Sequence, residues 1–142
     1  MPEKLPETTP AKPLPAPLTG KTILLVEDES FIADLLIGWL GRLGAITLWA
    51  NTGQEGLRLL AANPNRICIV IADYRLPDIN GDEMCAKMRE LQPGLPVLLS
   101  SGRYHREAEA TLAKSGPTRF IQKPYPLEEV LKKLQKLLSD VA

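Results

Sequence analysis

Short apolar runs alternate along this chain with longer segments whose apolar residues recur every three or four positions. Five segments have the first pattern, at 22–26, 45–49, 67–71, 96–100 and 118–122, and most of them are apolar at successive positions. Such strands are typical of a parallel sheet, because both faces of the sheet are covered. The alternation therefore predicts five strand–helix units.

The segments between these runs have helical spacing, most clearly the first and the last. Phe31, Leu35, Trp39 and Leu43 recur every four residues, with Ile32, Leu36 and Leu40 beside them, and predict the apolar face of a helix that Gly44 ends. The last segment places seven apolar residues on one face: Leu127, Val130, Leu131, Leu134, Leu137, Leu138 and Val141.

Strict alternation of strands and helices predicts an α/β fold with an open, five-stranded parallel sheet. Right-handed crossovers place helices on both faces, so the sheet is doubly wound, (βα)5. In such sheets a ligand site lies beyond the carboxyl ends of the strands, near the point where strand order reverses. Function is therefore expected among the residues that follow the strands.

Proline divides the chain into two parts, since six of the 13 prolines lie in the first 20 residues. That stretch contains no Ile, Val or aromatic residue and cannot bury enough apolar surface to offset the entropy of ordering it. We therefore expect a disordered, Pro-rich tail or linker over 1–20 and one folded domain over 21–142.

The charge balance limits the partners. The chain has 17 Lys and Arg against 17 Asp and Glu, which argues against direct DNA binding or attachment to an anionic membrane. Its apolar runs are far shorter than the ~20 residues that span a bilayer, so we expect a cytoplasmic protein without a membrane partner. Cys68 and Cys85 fit no metal spacing and are predicted to be buried, reduced side chains.

Charged and hydroxyl side chains follow four of the five predicted strands. Glu27 and Asp28 follow the first strand, Asp73 the third, Ser101 the fourth and Lys123 the fifth. Clustered carboxylates repel one another unless a cation neutralises them, and a site made of oxygen ligands suits Mg²⁺. Because a carboxylate can also accept a phosphoryl group, Asp73 is the candidate acceptor, with Glu27 and Asp28 as metal ligands.

Four segments of the chain resemble the signatures of response-regulator receiver domains from two-component systems, at 23–29, 71–81, 96–102 and 120–125. The resemblance covers nearly all of the folded part. It implies a flavodoxin-like receiver topology like that of the chemotaxis regulators. It also implies a place in a phosphorelay, as a phosphoprotein that carries an aspartyl phosphate.

The resemblance implies the roles of the acidic residues. Asp73 would take a phosphoryl group from a histidine kinase or a histidine phosphotransfer protein. Asp28, Asp73 and the backbone carbonyl of Arg75 would bind Mg²⁺ directly, and Glu27 would hold it through water. Glu27 stands where many relatives have Asp, a change that binding through water tolerates.

It also implies a switch. Ser101 would be the hydroxyl that turns towards the phosphoryl group, Phe120 the aromatic ring that follows it inward, and Lys123 the ammonium group that contacts the phosphate. Relatives have a cis peptide bond at Lys123–Pro124, which proline makes accessible. Phe120 replaces a frequent Tyr and lacks its hydroxyl.

Three further features carry expectations. Arg75 and Arg103 lie two residues beyond the acceptor and the switch serine, at positions that tune phosphoryl lifetime in the family, and we expect them to lengthen it. His105 is expected at the surface. The helix at about 106–114 offers chiefly Leu112 to the core and is expected to be weakly held.

The resulting hypothesis is a Mg²⁺-dependent phosphoacceptor that switches a protein-binding surface and is not a turnover enzyme. A C-terminal receiver excised from a hybrid histidine kinase is the alternative. An aspartate-nucleophile phosphatase is disfavoured, because its two-aspartate motif follows the first strand, whereas Asp73 follows the third and Arg75 stands where the second acid is needed. The downstream protein and phosphorylation-dependent dimerisation stay open.

Overall fold

The computed structural model describes residues 16–140, which form a five-stranded parallel sheet with helices on both faces. The strands are β1 (Thr22–Val26), β2 (Ile46–Ala50), β3 (Ile69–Asp73), β4 (Val97–Ser101) and β5 (Thr118–Gln122). The helices are α1 (Ser30–Arg42), α2 (Gly53–Ala62), α3 (Gly81–Leu91), α4 (Arg106–Ala113) and α5 (Leu127–Asp140). The strand order is β2-β1-β3-β4-β5, so the predicted fold class is confirmed and the order reverses between β1 and β3.

Two of the strands have the predicted bounds, and the other three begin one or two residues later. The largest shift is in β3, whose ladder with β1 starts at Ile69 although Ile67 is already buried. Burial thus extends beyond strand pairing, and the apolar run alone placed the strand too early. As a consequence Asp73 is the last residue of β3, paired with Ser100 of β4.

The sheet separates two hydrophobic layers. One face of the sheet packs against α2, α3 and α4 through residues such as Leu60, Met88 and Leu112. The other face packs against α1 and α5 through residues such as Leu40 and Leu134. Strands covered on both sides explain the continuous apolar runs of the sequence.

The predicted apolar face of α1 is correct for the row with Leu36 and Leu40 and wrong for the row with Phe31 and Leu35. Phe31 and Leu35 are 79% and 53% exposed, whereas Ala33, Leu36 and Leu40 are buried. Residues four apart drift about 40° around a helix at each step, so a row with that spacing leaves the core while a row with mixed spacings of three and four stays in it.

The folded domain begins earlier than the predicted Lys21. Leu18 is completely buried beneath α1, and its backbone N–H donates to the carbonyl of Leu43 at 2.8 Å. Gly44 has φ of +99° and lies so close to this turn that a Cβ would be 2.7 Å from Thr19 Oγ1. Residues 16–20 are thus not a tail; the rest of the expected tail, 1–15, and residues 141–142 lie outside the described residues.

The remaining expectations have mixed outcomes. Leu112 is the one buried residue of α4, as expected. Trp39 is half-buried against the core rather than within it. Cys85 is buried, which raises the pKa of its thiol to about 12, but Cys68 is only half-buried because it precedes β3 at the rim of the sheet.

No helix within residues 16–140 is long and apolar enough to cross a membrane.

Candidate functional site

The strand register brings the predicted site residues to one edge of the sheet. Val26 at the end of β1 pairs with Ala72, so Glu27 and Asp28 emerge beside Asp73. These residues lie on β1 and β3, the two strands between which strand order reverses, where α/β sheets place their ligands. The structure therefore brings these predicted site residues together at the point where strand order reverses.

Three carboxylates converge at this edge. Glu27, Asp28 and Asp73 each offer one oxygen, and these oxygens all lie within 4.8 Å of one another. Glu27 is only 2% exposed, and its Oε2 accepts from the backbone N–H of Glu29 at 3.1 Å. Burial raises the pKa of Glu27 above its ordinary value, despite that hydrogen bond.

A single ammonium group is bound to the acids. Lys123 Nζ lies 2.9 Å from Asp73 Oδ2 and 3.9 Å from Glu27 Oε1. Burial alone would lower the pKa of Lys123, but the hydrogen bond to Asp73 and the charges of both acids outweigh it and raise the pKa. The lysine therefore stays charged, and the Lys123–Pro124 peptide bond that follows is cis, as expected.

The loop after β3 lies beside Asp73. The backbone N–H of Arg75 donates to Asp73 Oδ1 at 3.3 Å, while the side chain of Arg75 is exposed. Asp78, further along this loop, accepts from the backbone N–H groups of Gly53 and Gln54 at the start of α2. The loop is thus held to a neighbouring helix and places the carboxylate of Asp73 in a defined position.

The hydroxyl of Ser101 contacts groups other than the acids. The side chain is buried, and within the described residues its Oγ contacts His105 Nε2 at 2.9 Å and accepts from the backbone N–H of Arg103 at 3.4 Å. The structure therefore brings Glu27, Asp28, Asp73 and Lys123 together, and joins Ser101 to a second group of side chains.

The second group is an aromatic cluster made of Tyr74, His105 and Phe120. The ring centroids of Tyr74 and His105 are 4.4 Å apart, those of Tyr74 and Phe120 5.1 Å, and those of His105 and Phe120 5.5 Å. Phe120 is 3% exposed, so its ring already lies inside. The expectation that His105 is a surface histidine is wrong, because the loop after β4 turns it back against Ser101.

Sequence reasoning missed Tyr74 as well. Its hydroxyl donates to Asp82 at 2.8 Å, and burial together with this bond raises the pKa of Tyr74 to about 12. Gly81 makes room for the ring, since a Cβ there would lie 2.4 Å from Tyr74 Cδ1. The available signals were the aromatic residue directly after Asp73 and the spacing of four between Ser101 and His105.

A doubly wound parallel sheet with three carboxylates and a lysine at its switch point defines a flavodoxin-like α/β protein of receiver topology. The family model for the response regulator receiver domain matches residues 23–135. The chain therefore belongs to the response regulator receiver family, the receiver modules of two-component signalling.

Individual relatives agree. The probable transcriptional regulatory protein TcrX of Mycobacterium tuberculosis is 32% identical over 117 residues, which are 82% of this chain and 49% of that protein. The non-phosphorylated HemR receiver domain from Leptospira biflexa has a TM-score of 0.76 at 30% identity, covering 84% of this chain and 94% of that one. The receiver domain from the hybrid histidine kinase CckA has a TM-score of 0.70 at 26% identity, covering 82% and 98%.

This chain spans about half the length of the curated transcriptional regulators that it matches. The shared half is the receiver domain. The regulation of transcription named for those proteins belongs to their complete chains.

Proposed function

We propose that Asp73 accepts a phosphoryl group from a phosphohistidine on a histidine kinase or a histidine phosphotransfer protein. The observation that carries this proposal is the position of Asp73 within the cluster of three acids, with Lys123 Nζ 2.9 Å from its carboxylate. A carboxylate oriented in this way can act as a nucleophile, and the lysine can bind the oxygens of the incoming group.

The donor set fits Mg²⁺. Three carboxylates face one ammonium group, so the cluster holds more negative charge than Lys123 balances, and all the side-chain ligands are oxygens. Asp28, Asp73 and the backbone carbonyl of Arg75 would hold the ion directly, and Glu27 would hold it through water. When bound, Mg²⁺ would neutralise the charge of the acids and of the phosphoryl oxygens.

In the transfer step an oxygen of Asp73 forms a bond to phosphorus while the nitrogen–phosphorus bond of the donor breaks. The imidazole of the donor keeps the electron pair and takes up a proton from solvent, which leaves a neutral histidine and an aspartyl phosphate. Lys123 stays within reach of the phosphoryl oxygens throughout. Hydrolysis of the aspartyl phosphate then returns the domain to its starting state, so the domain acts as a switch rather than as a turnover enzyme.

The output of this switch is a changed protein-binding surface. Ser101 turns to the phosphoryl group, the cluster around Phe120 rearranges, and the surface of α4 and α5 alters with it. The downstream partner is proposed to be a protein rather than DNA, and dimerisation on phosphorylation is one such output. Free thiols at Cys68 and Cys85 suit a reducing compartment such as the cytoplasm.

The alternative of a receiver from a hybrid histidine kinase has the same chemistry at Asp73 and differs only in the parent protein. The similarity to the receiver domain of the hybrid histidine kinase CckA supports this alternative. A phosphatase with an aspartate nucleophile is disfavoured, because Arg75 stands where its second acid is needed.

The test uses a phosphoryl analogue. Trp49 reports on the site, because its indole N–H donates to the backbone carbonyl of Glu27 at 2.9 Å. Beryllofluoride with Mg²⁺ should change the fluorescence of Trp49, and phosphoramidate should add one phosphoryl group to the intact mass. Asp73→Asn should lose both responses, whereas Asp34→Asn, on the exposed side of α1, should keep them.

Two results would contradict the proposal. One is labelling that survives Asp73→Asn, which would place the acceptor elsewhere. The other is steady hydrolysis of a phosphomonoester by the unmodified protein, which is the behaviour of a phosphatase.

A further inference from the structure

The hydroxyl of Ser101 is held by a residue that the proposed transfer chemistry does not use. His105 Nε2 lies 2.9 Å from Ser101 Oγ, and the backbone N–H of Arg103 donates to the same oxygen at 3.4 Å. A serine hydroxyl has one proton and two lone pairs, so it can bond to the His105 ring and to the Arg103 N–H at the same time. Both contacts hold Ser101 Oγ in its present place.

The imidazole of His105 is itself fixed in place. Its ring packs against both Tyr74 and Phe120, with centroid distances of 4.4 and 5.5 Å. Its backbone carbonyl accepts from Glu109 at 2.9 Å, so His105 also forms the N-terminal boundary of α4. A ring held by two aromatic neighbours and by a helix start offers Ser101 a preformed hydrogen-bond partner.

We propose that His105 is a positioning residue that holds the Ser101 hydroxyl away from Asp73 in the unphosphorylated protein. The inference rests on the proposed function, because it concerns the regulation of the same site. The Ser101 Oγ that contacts His105 Nε2 is the atom that has to reach a phosphoryl oxygen. The Ser101–His105 bond must therefore break before the hydroxyl can serve the phosphorylated state.

This bond also connects the site to α4. Glu109 of α4 accepts from the backbone N–H of Phe120 at 2.9 Å and from the hydroxyl of Tyr104. At the other end of the helix the carbonyl of Leu112 accepts from the buried Arg89 at 3.2 Å. Release of His105 from Ser101 removes one contact at the N-terminal turn of α4, where the bonds of Glu109 remain and where the proposed output surface begins.

A positioning role of this kind predicts whether the affinity for a ligand rises or falls when the hydrogen bond is lost. A ligand that binds only the released state must compete with the hydrogen bond, so loss of the bond strengthens binding. A hydrogen bond of ordinary net strength shifts such an equilibrium by about 2- to 10-fold. Removal of the hydrogen-bond partner should therefore raise the affinity for beryllofluoride by that factor.

The experiment compares two replacements of His105 in the full chain, with beryllofluoride and Mg²⁺ as the probe and Trp49 fluorescence as the readout. His105→Phe keeps a ring against Tyr74 and Phe120 but has no hydrogen-bonding nitrogen, and should bind the probe about 2- to 10-fold more tightly. His105→Gln, whose amide can replace Nε2, should restore the affinity of the unmodified protein. Thermal unfolding of each variant verifies that it is folded.

The decisive control repeats His105→Phe in a Ser101→Ala background, where the affinity should no longer change because the hydroxyl is gone. An effect that persists without the hydroxyl, or unchanged or weaker binding by His105→Phe alone, overturns the positioning role while leaving the proposed function intact. If the unmodified protein does not respond to beryllofluoride at all, the proposed function fails and this inference fails with it.

Discussion

Arg75 lies two residues beyond Asp73, and Arg103 lies two residues beyond Ser101. The backbone N–H of Arg75 donates to Asp73 Oδ1, and that of Arg103 donates to Ser101 Oγ. Both side chains are exposed. Water has to reach an aspartyl phosphate at Asp73 to hydrolyse it, and we expect these two side chains to obstruct its approach.

We expect the double variant Arg75→Ala, Arg103→Ala to lose phosphoryl groups faster than the unmodified protein. The two guanidinium groups crowd the approach of water and compete with it, and a barrier change of about 1 kcal/mol gives an effect of roughly 5-fold. The measurement is the decay of phosphoprotein after the donor is removed. Arg58→Ala on the exposed side of α2 is the matched control, and an unchanged or slower decay in the double variant would refute the expectation.

The sequence predicted the acids and the lysine better than the side chains around the hydroxyl. Glu27, Asp28, Asp73 and Lys123 could be located because the carboxyl ends of parallel strands meet at one edge whatever the loops do. The contact between Ser101 and His105 depends on the backbone angles of the three residues between them. No periodicity encodes those angles, so His105 was expected at the surface.

At the scale of elements, α3 and α4 are joined by one buried cation. Arg89 at the end of α3 is 7% exposed, and burial lowers the pKa of its guanidinium group. The group donates to five acceptors in the segments around it: the carbonyls of Leu95, Leu112 and Pro117 and the hydroxyls of Ser115 and Thr118. Gly116 provides the space, since a Cβ there would lie 2.5 Å from Arg89 Nε.

We expect Arg89→Met to lower the free energy of unfolding by about 3 kcal/mol, because several buried carbonyls lose their donor at once. Arg58→Met is the matched control, since Arg58 is exposed and bonds only to Glu55 on its own helix in the described part of the chain; it should cost about 0.5 kcal/mol or less. Urea denaturation of both variants gives the comparison. Equal losses would mean that Arg89 has no special structural role.

The elements show why local pattern and burial must be distinguished. The pattern correctly placed a helix at α1, but it included the row containing Phe31 and Leu35 in the apolar face when both are exposed. Two apolar rows run side by side on that helix, and only the sheet beneath it determines which one is covered. An arginine near a helix end is ordinarily solvated, so no pattern in the sequence indicates that Arg89 is buried.

At the scale of the whole molecule, the two layers of the core and the single acidic edge follow from the alternation of strands and helices. A formal net charge of zero hides the concentration of acids where β1 and β3 end. The least predictable feature was the start of the domain. Six prolines predicted a tail over 1–20, but composition averages over the stretch and could not show that Leu18 is part of the core.

The start of the domain can be tested by shortening the chain. A chain that begins at Ala16 should unfold with the same free energy as the full chain, because residues 1–15 contain no Ile, Val or aromatic residue to bury. A chain that begins at Lys21 should lose about 3 kcal/mol, since it lacks the buried Leu18 side chain and the hydrogen bond from its N–H to the carbonyl of Leu43.

Single substitutions in the full chain separate burial from length. Leu18→Ala should account for most of the loss, at about 2–3 kcal/mol, whereas Leu91→Ala should cost about 0.5 kcal/mol because Leu91 is 50% exposed. Urea denaturation followed by the fluorescence of Trp39, which packs against the same face of the sheet as Leu18, measures each value. Equal stability of the chains starting at Ala16 and at Lys21 would place the boundary at Lys21 after all and remove Leu18 from the stabilising core.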